Sequence, residues 1–310
     1  MNRVEEILAL IRHVPPFPKV AERVMQVLKD PDVTAHQLAE VIQYDQAITA
    51  NVLKICNAAY FGIPRKVNSL DEGLVVIGHD ILKDIIIASS SARFYQGQVG
   101  AGYGLEQGDM WRHSVATGIM AKLLVKHIKD VDPGSAFTAA LLHDIGKRFL
   151  SSFVADDFAQ IVDKVGRENC SFVEAEQEIL GIDHAALGGM ILEKWEFDQP
   201  LIDAVREHHD AAALERAPLS ALVALSNSLV ISIGFAAYMF NSSCALSSSV
   251  SRSAMHICSI SMVMPNRLRP SPRNSEARPS SPTPMPMEIT RLLLRATRAL
   301  NGALSRAAAS

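Results

Sequence analysis

Apolar side chains in the first 240 residues recur three and four positions apart and almost nowhere alternate, a period that suits one face of a helix and not one face of a sheet. Val20 to Leu28 follows this spacing after Pro15, Pro16 and Pro18, and Asp30-Pro31 stops it. Thr34 with Gln37 fits a capping box, each side chain satisfying a backbone N–H at the helix start, with Leu38, Val41 and Ile42 as the buried face. Another helix carries Ile48, Val52, Leu53 and Ile55. Ser69 with Glu72 repeats the box ahead of Leu74, Val75 and Ile77, Gly78 is placed to end that helix, and the next runs from Ile81 to Tyr95. Met1 to His13 holds Glu5 and Glu6 inside its apolar stretch, which predicts an amphipathic helix and not a secretory signal. The expected fold class is all-α in two helical lobes. Residues 1–100 form the first, Gly97 to Gly108 with five glycines in twelve residues is the joint, and residues 109–240 form a helical bundle.

The chain changes character near residue 240. Residues 241–310 hold nine arginines, no lysine and two acidic residues, with 15 serines and 7 prolines, so they carry +7 where residues 1–240 carry −10. Such a composition buries little core, and the tail is expected to be largely disordered or the product of a shifted reading frame. Within it, Glu288 to Leu304 has leucines and alanines between arginines and suits a basic amphipathic helix. Leu219 to Phe240 is uncharged and long enough to span a bilayer, but Ser220, Ser226, Asn227, Ser228 and Ser232 suit a helix buried against a polar site better than one facing lipid. The overall charge of −3 offers no argument for a nucleic-acid partner. Cys56, Cys170, Cys244 and Cys258 are scattered, which fits a reducing cytoplasm.

Five of the ten histidines fall in four short helical contexts. Asp109-Met-Trp-Arg-His113 puts its acid and imidazole on one helix face, four residues apart. Leu-Leu-His143-Asp144-Ile-Gly-Lys147 sets an imidazole and a carboxylate in an otherwise apolar helix, with Lys147 one turn beyond His143. His184 opens a helix running towards Trp195, and His208-His209 close one that Pro200 begins. Neutral imidazoles and carboxylates fixed by helices are what a divalent metal needs, and a carboxylate can bridge two ions about 3.5 to 4 Å apart. Such ions polarise a phosphoryl oxygen and activate water, and Lys147 would neutralise phosphate charge.

Each piece alone has an ordinary explanation. A histidine after a tryptophan is more often half-buried and satisfied than a ligand, and His208-His209 at a helix end complement the helix dipole. His143-Asp144 is stronger, because burying an ionisable pair costs several kcal/mol unless a metal or a hydrogen-bond network compensates. His79-Asp80-Ile-Leu-Lys83 repeats the same pattern without companion histidines and is expected to be a surface helix start.

Ordered landmarks extend this set: Val14-Pro-Pro-Phe-Pro, Val41-Ile-Gln-Tyr-Asp45, Leu53-Lys-Ile-Cys-Asn57-Ala-Ala-Tyr-Phe-Gly62, Val67-Asn-Ser-Leu-Asp-Glu-Gly, Trp111-Arg-His-Ser114, Leu141 to Lys147, Gly181-Ile-Asp-His184 and His208-His209. Together they resemble the HDOD domains, a signalling-associated branch of the HD superfamily of metal-dependent phosphohydrolases, related to HD-GYP domains, over residues 14 to 235. The resemblance implies an HD-type bundle holding two divalent transition ions, iron or manganese ahead of zinc or magnesium. His113, His143 and Asp144 would hold one, and Asp144, His184, His208 and His209 the other, with Asp144 bridging. Asp144 and Lys147 would take the catalytic places. Asp109 matches an extra carboxylate that some relatives use, and Asn227 stands where the superfamily usually has an aspartate ligand. No Gly-Tyr-Pro segment follows His208-His209, which argues against cyclic-di-GMP hydrolysis.

The family's habit implies regulation, and the retained histidines imply metal and hydrolysis. A neutral Asn227 raises the net charge of a two-metal site and loosens one ion, which favours regulation. The expected protein is a cytoplasmic signal-transduction module whose pocket binds a phosphorylated small ligand, a nucleotide or cyclic dinucleotide, and whose first lobe contacts a signalling protein, with no nucleic acid and no membrane. The alternatives are an active metal-dependent phosphohydrolase and a metal-free scaffold.

Overall fold

A computed structural model describes residues 3–28, 30, 32–57, 67–95 and 101–232. Every regular element among them is helical. The first lobe contains α1 (Arg3–His13), α2 (Lys19–Val27), α3 (Ala35–Ile42), α4 (Gln46–Cys56) and α5 (Leu70–Ala92). The second contains α6 (Asp109–Leu124), α7 (Pro133–Leu142), α8 (Ile145–Glu168), α9 (Phe172–Leu180), α10 (His184–Lys194), α11 (Gln199–Glu207), α12 (Ala211–Arg216) and α13 (Pro218–Ser232).

Local chemistry starts these helices where the sequence places the signals. Thr34 Oγ1 accepts from the Gln37 N–H at 3.3 Å, and the Thr34 N–H donates to Gln37 Oε1 at 2.8 Å. Ser69 accepts from the Glu72 N–H at 3.2 Å, while the Glu72 carboxylate reaches the Asn68 N–H. Gly78, at φ 76°, breaks α5 into two segments, a left-handed conformation that costs glycine no steric energy.

The core runs unbroken from Ile7 through Leu38, Leu82 and Trp111 to Val223, so the two lobes share one interior. In the second lobe α6 packs on α7, α10 on α11, and α13 lies against α6. The start of the chain packs on the far lobe. Arg3 pairs with Asp157 at 2.6 Å, the Lys194 ammonium caps the Ile11 and Arg12 carbonyls, and Trp195 donates to Pro15 O at 2.9 Å. Phe17, Phe94, Trp195 and Phe197 close an aromatic cluster there. Sequence period assigns α1 to a helix but not to a neighbour, since an amphipathic stripe fits any apolar surface.

His143 and Asp144 do not sit inside a helix. α7 ends at Leu142, His143 caps it, and Asp144 is the residue before α8. The surrounding residues are apolar on every side because both helix ends are buried, and that uniformity hides the break from a periodicity reading. Gly146 then brings α8 against the start of α10: a Cβ on it would stand 1.9 Å from the His184 carbonyl oxygen.

α13 is lined on its inner side by Leu222, Val223, Ser226 and Asn227, as expected of a helix buried against a polar site. No helix among the described residues is long and apolar enough to cross a membrane. The expectations for residues 241–310, including Glu288 to Leu304, and for the part of Leu219 to Phe240 after Ser232 lie outside the described residues.

The contact at Gly146 generates a prediction. Gly146→Ala must push α8 from α10, and overpacking of this kind costs about 1–3 kcal/mol or more. Urea unfolding of the variant is expected to show at least that loss with an unchanged m-value.

Candidate metal centre

The α7–α8 junction, the start of α10 and the end of α11 deliver their side chains to one point, and α6 adds His113. Asp144 stands at the middle, 2% exposed. Its Oδ2 lies 3.3 Å from His143 Nε2, 3.8 Å from His113 Nε2 and 2.8 Å from Lys147 Nζ. Its Oδ1 faces the other way, 3.4 Å from His184 Nε2 and 3.8 Å from His208 Nε2. His184 Nε2 lies 3.1 Å from His209 Nε2. The rings fall into two groups whose candidate ligand atoms lie within 4.8 Å of one another: His113, His143 and Asp144, and His184, His208 and His209.

Hydrogen bonds fix which nitrogen points inward. Carbonyl and carboxylate oxygens only accept, so His143 Nδ1 donates to Ala140 O at 2.8 Å, His208 Nδ1 to Val205 O at 2.7 Å, and His184 Nδ1 to Glu176 Oε2 at 2.6 Å. In the neutral rings each Nε2 is then a bare lone pair turned towards Asp144. His143 Nε2, His208 Nε2 and Asp144 Oδ1 have no hydrogen-bond partner although they are buried. Acceptors crowded together without donors repel, and such an arrangement is stable only if protons or a cation stand among them.

Protons are disfavoured there. Burial first, and His143 next, holds His113 down at about 3 from the ordinary 6.5, with Asp144 opposing. Burial and then His209 hold His208 well below the ordinary range. His209 reaches solvent at the rim, yet the protein crowding its ring, and then His184, lower it likewise. Burial opposes the charged form of Asp144, but His143, Lys147 and His184 more than offset that and hold its carboxyl well below 3.8. The pocket keeps its negative charge and rejects extra protons at three of its rings. That set fits a divalent cation.

The remaining expected residues fall differently. Asp109 belongs to neither group: it pairs with Arg112 and accepts from the Glu106 N–H at 3.0 Å, because the first turn of α6 faces that loop. Asn227 comes from α13 to the side of His113 and favours its charged form, although no hydrogen bond of normal geometry joins them and Asn227 Oδ1 is unpartnered. Lys147 is buried on the Asp144 carboxylate and beside the Tyr103 ring, where the sequence expects a phosphate-facing cation. Asp80 is exposed at the start of the second segment of α5, as a surface helix start should be.

Two residues were not singled out by sequence reading. Glu176 is fully buried, accepts from His184 Nδ1 and the His184 N–H at 3.0 Å, and takes the Tyr103 hydroxyl at 2.6 Å. Burial opposes its charged form, but His184 and Tyr103 together more than offset that and hold its carboxyl below the ordinary range. Glu176 stands four residues from both Phe172 and Leu180 on α9, so a carboxylate on an otherwise apolar stripe was the available signal. Tyr103, in a short 3-10 turn of the joint, carried none.

The architecture is an all-helical bundle built around a shared His/Asp pocket. The chain belongs to the HDOD domain family, whose model matches residues 14–211. An uncharacterised protein of Treponema pallidum is 23% identical over 220 residues, 70% of this chain and 42% of that protein, so the chain spans less than half the length of this curated relative. Among solved structures, an HDOD domain protein of unknown function from Geobacter sulfurreducens has 24% identity and a TM-score of 0.64, covering 82% of this chain and 88% of that one. A candidate phosphohydrolase from Shewanella amazonensis SB2B has 23% identity and a TM-score of 0.59, covering 73% and 80%. At these identities both likenesses concern the fold.

Depressed imidazoles tie stability to pH. In the unfolded chain the rings take up protons below about pH 6.5, whereas in the folded chain His113 does so only near 3 and His208 and His209 stay lowered. Between those values the unfolded state binds more protons, so stability is complete above about pH 6.5 and falls with acidification. Asp144 adds its own loss only below 3.8. In chelator-treated protein the urea midpoint is expected to drop steadily from about pH 7.5 to pH 4.5, and a flat midpoint would contradict the neutral-ring assignment.

Proposed function

We propose that this chain is a regulatory HDOD module of bacterial signal transduction, acting in the cytoplasm, whose His/Asp pocket holds a divalent transition metal and senses a small phosphorylated ligand. The observation that carries it is the convergence of three inward-turned Nε2 lone pairs on the buried Asp144 carboxylate. The candidate holders are Asp144, His143, His184, His208, His209 and His113, a set rich in imidazole that suits iron or zinc, with manganese also accommodated. A bound ion of this kind supplies Lewis-acid charge to a phosphoryl oxygen. The chain's own residues do the rest: Glu176 and the carbonyls of Ala140 and Val205 hold the rings in one tautomer, and His209 at the rim is the pocket's contact with solvent.

Regulation is favoured over turnover by two features. Among the described residues the pocket has one carboxylate, Asp144, with Asn227 neutral beside His113, and all its groups except His209 are buried. The first lobe meanwhile exposes Tyr44, Val75, Val76 and Ile81, apolar side chains suited to a signalling protein partner. A metal-dependent phosphohydrolase acting on a nucleotide or cyclic dinucleotide is the second reading, supported by the phosphohydrolase-like neighbour in fold.

Elemental analysis of the purified chain is expected to find a transition metal, and Glu176→Gln to weaken its binding by about 10–100-fold through loss of the His184 anchor. Metal-loaded protein is expected to bind but not turn over phosphodiesters or nucleotides. Steady turnover abolished by His143→Ala would establish the second reading, and absence of metal in every preparation would remove both.

A further inference from the structure

The two halves of the pocket are not equivalent, although both offer three ligands. On the Oδ2 side of Asp144 a cation is already in place: Lys147 Nζ sits 2.8 Å from that oxygen and is itself buried. A dication bound by His113, His143 and Oδ2 would share the oxygen with an ammonium, and like charges a few ångströms apart in a buried site repel strongly. Among the described residues no second carboxylate stands there to offset it, and the nearby α13 residue is Asn227. His113 is also poorly held, its Nδ1 being buried without a partner. Every group on this side is buried, whereas the other side has His209 exposed.

The Oδ1 side differs on each count. Oδ1 has no hydrogen-bond partner. His184 is oriented by a carboxylate, Glu176, and His208 by a carbonyl, and an imidazole backed by a carboxylate is the more basic ligand. Glu176 adds a compensating negative charge one ring away. His209 Nε2 lies 3.1 Å from His184 Nε2, so the two rings share either the His209 Nε2 proton or, in its place, a cation, and His209 is exposed, so an ion arriving from solvent meets it first.

We infer that the pocket takes one divalent transition ion, held by His184, His208, His209 and Asp144 Oδ1, while Lys147 occupies the bridging oxygen and keeps a second ion out. This rests on the reading of the pocket as a metal centre and changes the two ions implied by family resemblance to one. Lys147 is thereby an internal substitute for the second cation.

The test is stoichiometry. The full chain is stripped with chelator, dialysed against Zn²⁺ and analysed for bound zinc, with affinity from calorimetry and folding checked by circular dichroism. One equivalent is expected for the parent. His209→Ala, at an exposed position that does not threaten folding, is expected to weaken it on the order of 100-fold or more, and His113→Ala or His113→Gln to leave it near the parent value. Lys147→Met, or Lys147→Gln if the first unfolds, is expected to admit a second equivalent. Two equivalents in the parent, or one that survives His209→Ala and disappears with His113→Gln, would overturn the inference and leave the metal-centre reading standing. No bound zinc, together with no metal found as purified, would sink both.

Discussion

Asp144 places an ionised carboxylate where four helix ends and α6 meet, and the second lobe is arranged around making that placement tolerable. An isolated charge of this kind costs several kcal/mol. Lys147 on one oxygen and imidazoles around both are the compensation. The break between α7 and α8 lets consecutive residues, His143 and Asp144, face one point, which an unbroken helix forbids because neighbours there diverge by about 100°. Gly146 brings the α10 start, and with it His184, close enough to join them.

Ring orientation follows from where each histidine sits on its helix. His143 and His208 both follow the last residue of a helix, and each donates Nδ1–H to the carbonyl three residues back, an acceptor that the ending helix leaves unused. The same geometry therefore turns both Nε2 atoms outward from their helices and into the pocket. His184 opens a helix, where N–H groups and not carbonyls are left over, so it takes its acceptor from α9 through Glu176. Glu176 accepts from the ring and from the backbone N–H of the same residue, and Tyr103 locks its other oxygen.

What could be read in the sequence is what local physics decides. The capping box at Thr34, the stop at Gly78 and the helix from His184 to Lys194 follow from near neighbours in the chain and reappear in three dimensions. What could not be read depends on distant packing. α1 lies on the second lobe because Asp157 and Lys194 receive it, and nothing in its own stripe names them. Glu176 resembles any surface glutamate of an amphipathic helix until His184 and Tyr103 are seen beside it, and Asp109 is drawn towards the site by its spacing and by the family resemblance, whereas in the structure it pairs with Arg112.

Asp84 shows why burial is not enough to make a site. It lies on α5 just past the repeated His79-Asp80 pattern, largely buried, and pairs with Lys122 while its Oδ1 finds no partner. There burial outweighs the ammonium groups of Lys122 and Lys83, and the carboxyl is pushed up to about 6. At Asp144 burial is deeper, yet the shift has the opposite sign, because Lys147 is joined by His143 and His184. The two acids have the same chemistry, and Asp84 has two lysines near it where Asp144 has one; what separates them is a ring of imidazoles whose outward nitrogens are tied elsewhere. A His-Asp-x-x-Lys string acquires a pocket only when helix ends from other parts of the chain bring that ring to it, and among the described residues none do so on α5.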